Sequence, residues 1–121
     1  MAHILIVEDE EDVALLLMHR LKRAGYDVTS RPDGESGLEA ALTLCPDLVL
    51  LDWMLPGRSG IDVCAAVRAN PETATTPVIM LTARTQSSDV DQATAAGAND
   101  YIIKPFGAKD LLDRIEALLP A

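Results

Sequence analysis

Five polar side chains, dispersed over most of the chain, carry the chemistry this sequence offers: Glu8, Asp9, Asp52, Thr82 and Lys104. Glu8 and Asp9 together follow one short apolar run, and Asp52, Thr82 and Lys104 each directly follow another. Carboxylates gathered in one place repel one another, so bringing Glu8, Asp9 and Asp52 together requires a cation or a basic group. An all-oxygen donor set points to Mg2+ before zinc, because Mg2+ takes hard oxygen ligands and keeps several waters. Lys104 can neutralise one oxygen of a phosphoryl group while Thr82 donates a hydrogen bond to another. Asp52 would attack phosphorus in line with the leaving group, with Mg2+ and Lys104 stabilising charge on the transferring oxygens. An aspartate is already an anion at neutral pH and needs no separate base. The acyl phosphate that results is labile enough to serve as a reversible signal.

These residues meet only if the elements carrying them are arranged to bring them together. His3-Ile4-Leu5-Ile6-Val7 reads as a strand that stops at the acid run Glu8 to Asp12. Val13, Leu16, Leu17 and Leu21 then recur at helical spacing, with acids at the start, bases at the end and Gly25 as the stop. The pattern repeats with a strand at 27–30 and a helix at 34–44. Leu48 to Leu51 is a continuous apolar run too short for a buried helix, which predicts a central parallel strand with Asp52 at its end. Pro56 and Gly57 mark a turn, and Ser59 or Gly60 starts a helix to Ala69. A strand at 78–81, a helix near 87–96, a strand at 101–103 and a helix near 108–119 complete five β-α units. Leu111, Leu112, Ile115, Leu118 and Leu119 mark the inner face of the last helix. Such alternation predicts one doubly wound (βα)5 α/β domain over residues 1–121 with a central five-stranded parallel sheet. In an open sheet of this kind ligands bind beyond the carboxyl ends of the strands, where the five polar residues fall.

Composition narrows the function classes. A chain of 121 residues supports one core and not two ordinary domains. Hydrophobic residues make up 49% and aromatics 3%, so the core is expected to be aliphatic. A net charge of -9 with no basic stripe argues against direct nucleic-acid binding. No apolar stretch approaches the roughly 20 residues of a membrane span, and a cytoplasmic location is expected. Cys45 and Cys64 match no metal-ligand spacing and are expected to be buried free thiols.

Each residue also has an ordinary structural reading. Glu10, Glu11 and Asp12 suit a helix start; Asp52 could cap a turn, Thr82 could cap a helix, and Lys104 could be a solvated charge. Taken singly these readings suffice, but they leave unexplained why all five groups terminate strands of one sheet. His3 and His19 have no partner ligands in the pattern, and no glycine-rich phosphate loop follows the first strand. Trp53 adjoins Asp52 and could shield a loop. Met18, Met54 and Met80 read as packing residues.

Five separated elements together resemble the bacterial response-regulator receiver family, with its flavodoxin-like fold, from Ile4 to about Leu118. They are Val7-Glu8-Asp9-Glu10, Leu50-Leu51-Asp52, Leu55-Pro56-Gly57 with Gly60, Leu81-Thr82-Ala83, and Lys104-Pro105-Phe106. The resemblance implies a histidine kinase or histidine phosphotransfer protein as phosphodonor and a downstream protein or effector domain as recipient of the signal. It implies Mg2+ held by Glu8, Asp9, Asp52 and the backbone carbonyl of Met54. It further implies a switch formed by Thr82 and Tyr101, and a cis peptide at Lys104-Pro105. Catalysis would be limited to Mg2+-dependent self-phosphorylation and self-dephosphorylation at Asp52, without turnover of a free substrate.

Two other functions compete. A phosphorylation-inert receiver would act as a protein-binding module, against which the intact Asp52, Thr82 and Lys104 weigh. A metal-dependent phosphatase with an aspartyl nucleophile would carry Asp-x-Asp, whereas Asp52 is followed by Trp53 and Met54. Met54 has no polar terminus to orient water and Arg84 is long enough to restrict access, so slow self-dephosphorylation is expected. Asp89 and Asp91 stand where the DNA-binding branch of the family carries bases, although Asp100, Asp110 and Arg114 resemble part of its pattern. A monomer with at most weak phosphorylation-dependent self-association is therefore expected.

Overall fold

The computed structural model describes residues 2–119; the remaining positions of the expected 1–121 span lie outside the described residues. Strands and helices alternate as β1 (His3–Val7), α1 (Glu11–Arg23), β2 (Asp27–Arg31), α2 (Gly34–Leu44), β3 (Leu48–Asp52), α3 (Gly60–Ala69), β4 (Val78–Thr82), α4 (Ser87–Ala96), β5 (Asp100–Ile103) and α5 (Ala108–Leu118). All strand pairs are parallel, in the order β2-β1-β3-β4-β5. This is a doubly wound (βα)5 α/β domain of flavodoxin-like topology. The order in which strands are added reverses between β1 and β3, and the crevice at that switch point is where such sheets bind ligands.

The period-two alternation of the strands divides the core into two layers. Leu5, Val7, Val49, Leu51, Val78 and Met80 face α2 and α3, against Ala40, Ala41, Val63, Cys64 and Val67. Ile4, Ile6, Leu48, Leu50, Ile79 and Leu81 face the other way, against Leu17 and Leu21 of α1 and Leu111 and Ile115 of α5. Each fully buried Leu or Ile contributes roughly 1.5–3 kcal/mol, so the two layers together fix the strand register. Gly60 lets α3 start directly against the Asp52 backbone, where a β-carbon would collide with the Asp52 carbonyl. Gly57 turns the preceding loop with φ at +74°.

The inner face of α5 is the expected one, with Leu111 and Ile115 buried and Leu112, Leu118 and Leu119 packed half-buried against the same layer, but two other expectations do not hold. Only Cys64 is a buried thiol. Cys45 is exposed because it caps α2 in a left-handed conformation beyond the last packed turn. Met80 is buried and Met18 packs at the core edge, but Met54 is 63% exposed and is not core material. Among the described residues no helix is long and apolar enough to cross a membrane.

Candidate functional site

Parallel pairing aligns the carboxyl ends of β1, β3, β4 and β5, and this alignment assembles the site. Glu8 follows β1; Asp52 and Thr82 are the last residues of β3 and β4; Lys104 follows β5. Carboxylate oxygens of Glu8, Asp9 and Asp52 lie within 4.8 Å of one another. Glu8 and Asp52 are almost fully buried, and Asp9 is exposed at the rim. Lys104 reaches back over them, with Nζ 2.6 Å from Glu8 Oε1 and 3.4 Å from Asp52 Oδ2. Its backbone is held in place, since the Lys104 amide donates to the Thr82 carbonyl at 2.8 Å and the Lys104-Pro105 peptide is cis.

The cleft above Asp52 measures about 490 Å³ and is lined by Asp9, Asp52, Met54, Thr82, Arg84 and Lys104, among others. Thr82 Oγ1 accepts from the Arg84 amide at 3.1 Å, and the Tyr101 hydroxyl donates to the Arg84 carbonyl at 2.9 Å. The structure thus brings Glu8, Asp9, Asp52, Met54, Thr82 and Lys104 to one place, with Tyr101 one residue away through Arg84. Glu11 and Asp12 lie in the first turn of α1, as a helix start requires.

Burial dominates the electrostatics. It pushes the Glu8 carboxyl up to about 7; Lys104 opposes that rise and the Asp52 carboxylate adds to it. Burial also works against the charge of Lys104, but its bond to Glu8 and the charge of Asp52 outweigh it and leave the ammonium group above its usual range. A proton and Lys104 thus compete for the same carboxylate, which is the condition a divalent cation would relieve. The donors fit a hard cation because all are oxygens and their net charge is negative.

A stability consequence follows. The Glu8 pKa is higher folded than unfolded, so the metal-free protein binds this proton more tightly than the unfolded chain does. Its contribution is present at low pH and is lost as pH rises from about 4.5 to about 7, by at most roughly 3 kcal/mol, with no further loss from this group above that range. Urea titrations in a chelator between pH 5 and 8 should show that decline in the native chain and a flatter profile in Glu8→Gln. Parallel profiles would show that Glu8 does not titrate in this window.

Comparison with known proteins agrees with the geometry. The family described as the response regulator receiver domain matches residues 4–116. The chain belongs to that family. The receiver is 43% identical over 116 residues to the phosphate regulon transcriptional regulatory protein PhoB of Rhizobium meliloti, covering 96% of this chain and 51% of that protein. It is 44% identical over 119 residues to the response regulator ArlR of Staphylococcus saprophyticus, covering 98% and 53%. The receiver therefore spans about half the length of the curated relatives it matches. Among solved structures, the Vibrio cholerae chemotaxis protein CheY4 superposes with a TM-score of 0.94 at 31% identity, covering 98% of this chain and 99% of that one. The receiver domain of sensor histidine kinase PA1611 from Pseudomonas aeruginosa gives 0.90 at 31% identity, covering 97% and 96%. The carboxylate cluster of this receiver is poised for phosphoryl transfer, of the kind by which such domains phosphorylate and dephosphorylate themselves.

Reading along the chain placed the five principal side chains but missed the surroundings of Arg84. Its guanidinium lies over the Trp53 ring, 4.7 Å from the centroid, and Asp89 pairs with it at 3.1 Å. An aromatic beside the acceptor and an arginine two positions after Thr82 were the available signals, but their contact depends on how β3 and β4 end.

Proposed function

We propose that residues 1–121 act as one phosphoacceptor module in which Asp52 receives a phosphoryl group from a histidine kinase or a histidine phosphotransfer protein. The observation that carries this reading is one buried carboxylate, Asp52, set between two further acids and an ammonium group at the mouth of the sheet. An Asp52 oxygen bonds to phosphorus as the bond from phosphorus to the donor imidazole breaks, and the imidazole leaves with the electron pair. Lys104 then moves from pairing with Glu8 and Asp52 toward a phosphoryl oxygen. Thr82 turns its hydroxyl toward another, and Tyr101, tied to the Arg84 carbonyl, follows as the switch. Glu8, Asp9, Asp52 and the Met54 carbonyl would hold Mg2+, which when bound supplies charge neutralisation for the incoming phosphoryl oxygens. The PA1611 receiver domain, described with a magnesium ion coordinated in its active site cleft, supports that choice. Intact-mass measurement with a small phosphodonor and Mg2+ tests the proposal: gain of one phosphoryl group is expected, and chelation should prevent it.

The phosphorylated receiver is expected to signal as a monomer to another protein or effector domain, from the cytoplasm and without direct contact to nucleic acid. Arg114 is already engaged within the chain, by Asp100 at 2.6 Å and Asp110 at 3.0 Å. Helix α4 carries Asp89 and Asp91 and no Lys or Arg, so it offers a second copy no base for the acids of β5 and α5. Like charge opposes self-association, and salt weakens that opposition. Light scattering of the beryllofluoride-bound protein over a concentration and salt series should show a monomer at physiological salt; a tight dimer there would remove this reading.

A further inference from the structure

The reading of Asp52 as phosphoacceptor leaves open what guards its cleft, and the residues around Arg84 answer that question. Arg84 and Met54 line two adjoining hollows. One is the Asp52 cleft; the other, of about 510 Å³, includes Trp53, Pro56 and Ser59. The two side chains form a ridge between these hollows, with Arg84 Nη2 3.9 Å from Met54 Sδ. A surface arginine would ordinarily sample many rotamers, because an exposed ion pair contributes little. Here the guanidinium has two anchors of unusual quality. One is the face of Trp53, a residue only 5% exposed whose ring is itself braced edge-on by Tyr101 at 6.4 Å. The other is Asp89, whose side chain is 14% exposed and sits in the first turn of α4. Cation–π attraction is strongest over indole and increases with desolvation.

We infer that Trp53 and Asp89 are positioning residues that hold Arg84 across the mouth of the Asp52 cleft and thereby lengthen the lifetime of the aspartyl phosphate. Neither touches the reacting atoms; both act through the guanidinium, which narrows the approach of water. Asp89 belongs to α4, so displacement of that helix and loss of the phosphoryl group become linked.

The test is the decay of phosphorylated full chain, loaded with a small phosphodonor and Mg2+ and followed by intact mass. Trp53→Leu and Asp89→Asn are each expected to speed decay roughly three- to tenfold. Arg84→Ala should do so at least as strongly, and Trp53→Phe should fall between native and Trp53→Leu. In an Arg84→Ala background the Trp53→Leu and Asp89→Asn changes should add nothing. Unchanged decay in both single variants, or a full additional effect in the Arg84→Ala background, would overturn the inference. Trp53 is the sole tryptophan, so its emission reports the stacked guanidinium independently. Emission should shift in Arg84→Ala and Asp89→Asn with circular dichroism unchanged, and identical emission in both would also overturn it. A native chain that accepts no phosphoryl group would remove the acceptor reading itself, which normal uptake with unaltered lifetimes would not.

Discussion

Asp52→Asn is expected to abolish phosphoryl uptake while leaving the fold intact. The amide has nearly the shape of the carboxylate, so β3 keeps its register with β4, where Asp52 pairs with Leu81. What it lacks is the anionic oxygen that must bond to phosphorus. No neighbouring acid replaces it: Glu8 is engaged by Lys104 at 2.6 Å, and Asp9 sits outside the buried pair on the exposed rim. Removing the Asp52 charge also removes one of the causes that raise the Glu8 pKa. Lys104 can then pair wholly with Glu8, so the variant should be no less stable than the native chain. Intact mass after incubation with a small phosphodonor and Mg2+ decides the matter. Native protein should gain one phosphoryl group and the variant none; full Mg2+-dependent modification of the variant would place the acceptor elsewhere.

The strands could be read from the sequence because their residues satisfy two demands together. Leu48 to Leu51 is apolar without alternation because both faces of β3 are covered, and only a central parallel strand has that requirement. Observed β3 and β4 run one residue further than the apolar runs, through Asp52 and Thr82, since a polar residue at a strand end can keep its backbone pairing. Helix limits were legible where caps are local, as at Ser59, whose hydroxyl accepts from the Asp62 amide. Properties set by distant packing were not legible. Periodicity marks the side of α5 that faces inward but not how far its neighbours reach around it, which is why Leu112 and Leu118 proved only half-buried. The acid run showed that carboxylates follow β1 without showing that Glu8 turns into the protein to meet a lysine 96 positions away. The Arg84 stack on Trp53 likewise joins residues whose approach depends on two strand ends and the start of α4.

Asp9→Ala should nearly eliminate Mg2+ binding, whereas the same change at Glu10, Glu11 or Asp12 should leave it close to native. These four acids are consecutive in sequence but different in space. Glu11 and Asp12 belong to the first turn of α1, where they complement the helix dipole. Glu10 is exposed, and its amide donates to Glu8 Oε2 at 3.1 Å, an interaction that its side chain does not provide. Only Asp9 places a carboxylate within 4.8 Å of both Glu8 and Asp52. Changes to residues that merely orient a ligand cost about 10–100-fold in metal affinity, and loss of a ligating carboxylate should exceed that. Alanine at an exposed rim position costs the apo fold little, so weakened binding will not reflect unfolding. Thermal melts supply a second measure: at a hundredfold excess over its dissociation constant the ion should stabilise the native chain by about 2.7 kcal/mol, and Asp9→Ala should lose that increment. Titration calorimetry across the four variants separates a defined site from diffuse attraction. Equal losses at all four positions would mean that the acid run attracts the ion by charge density alone, and the site built around Asp52 would then have to bind its phosphoryl group with Lys104 as its principal source of positive charge.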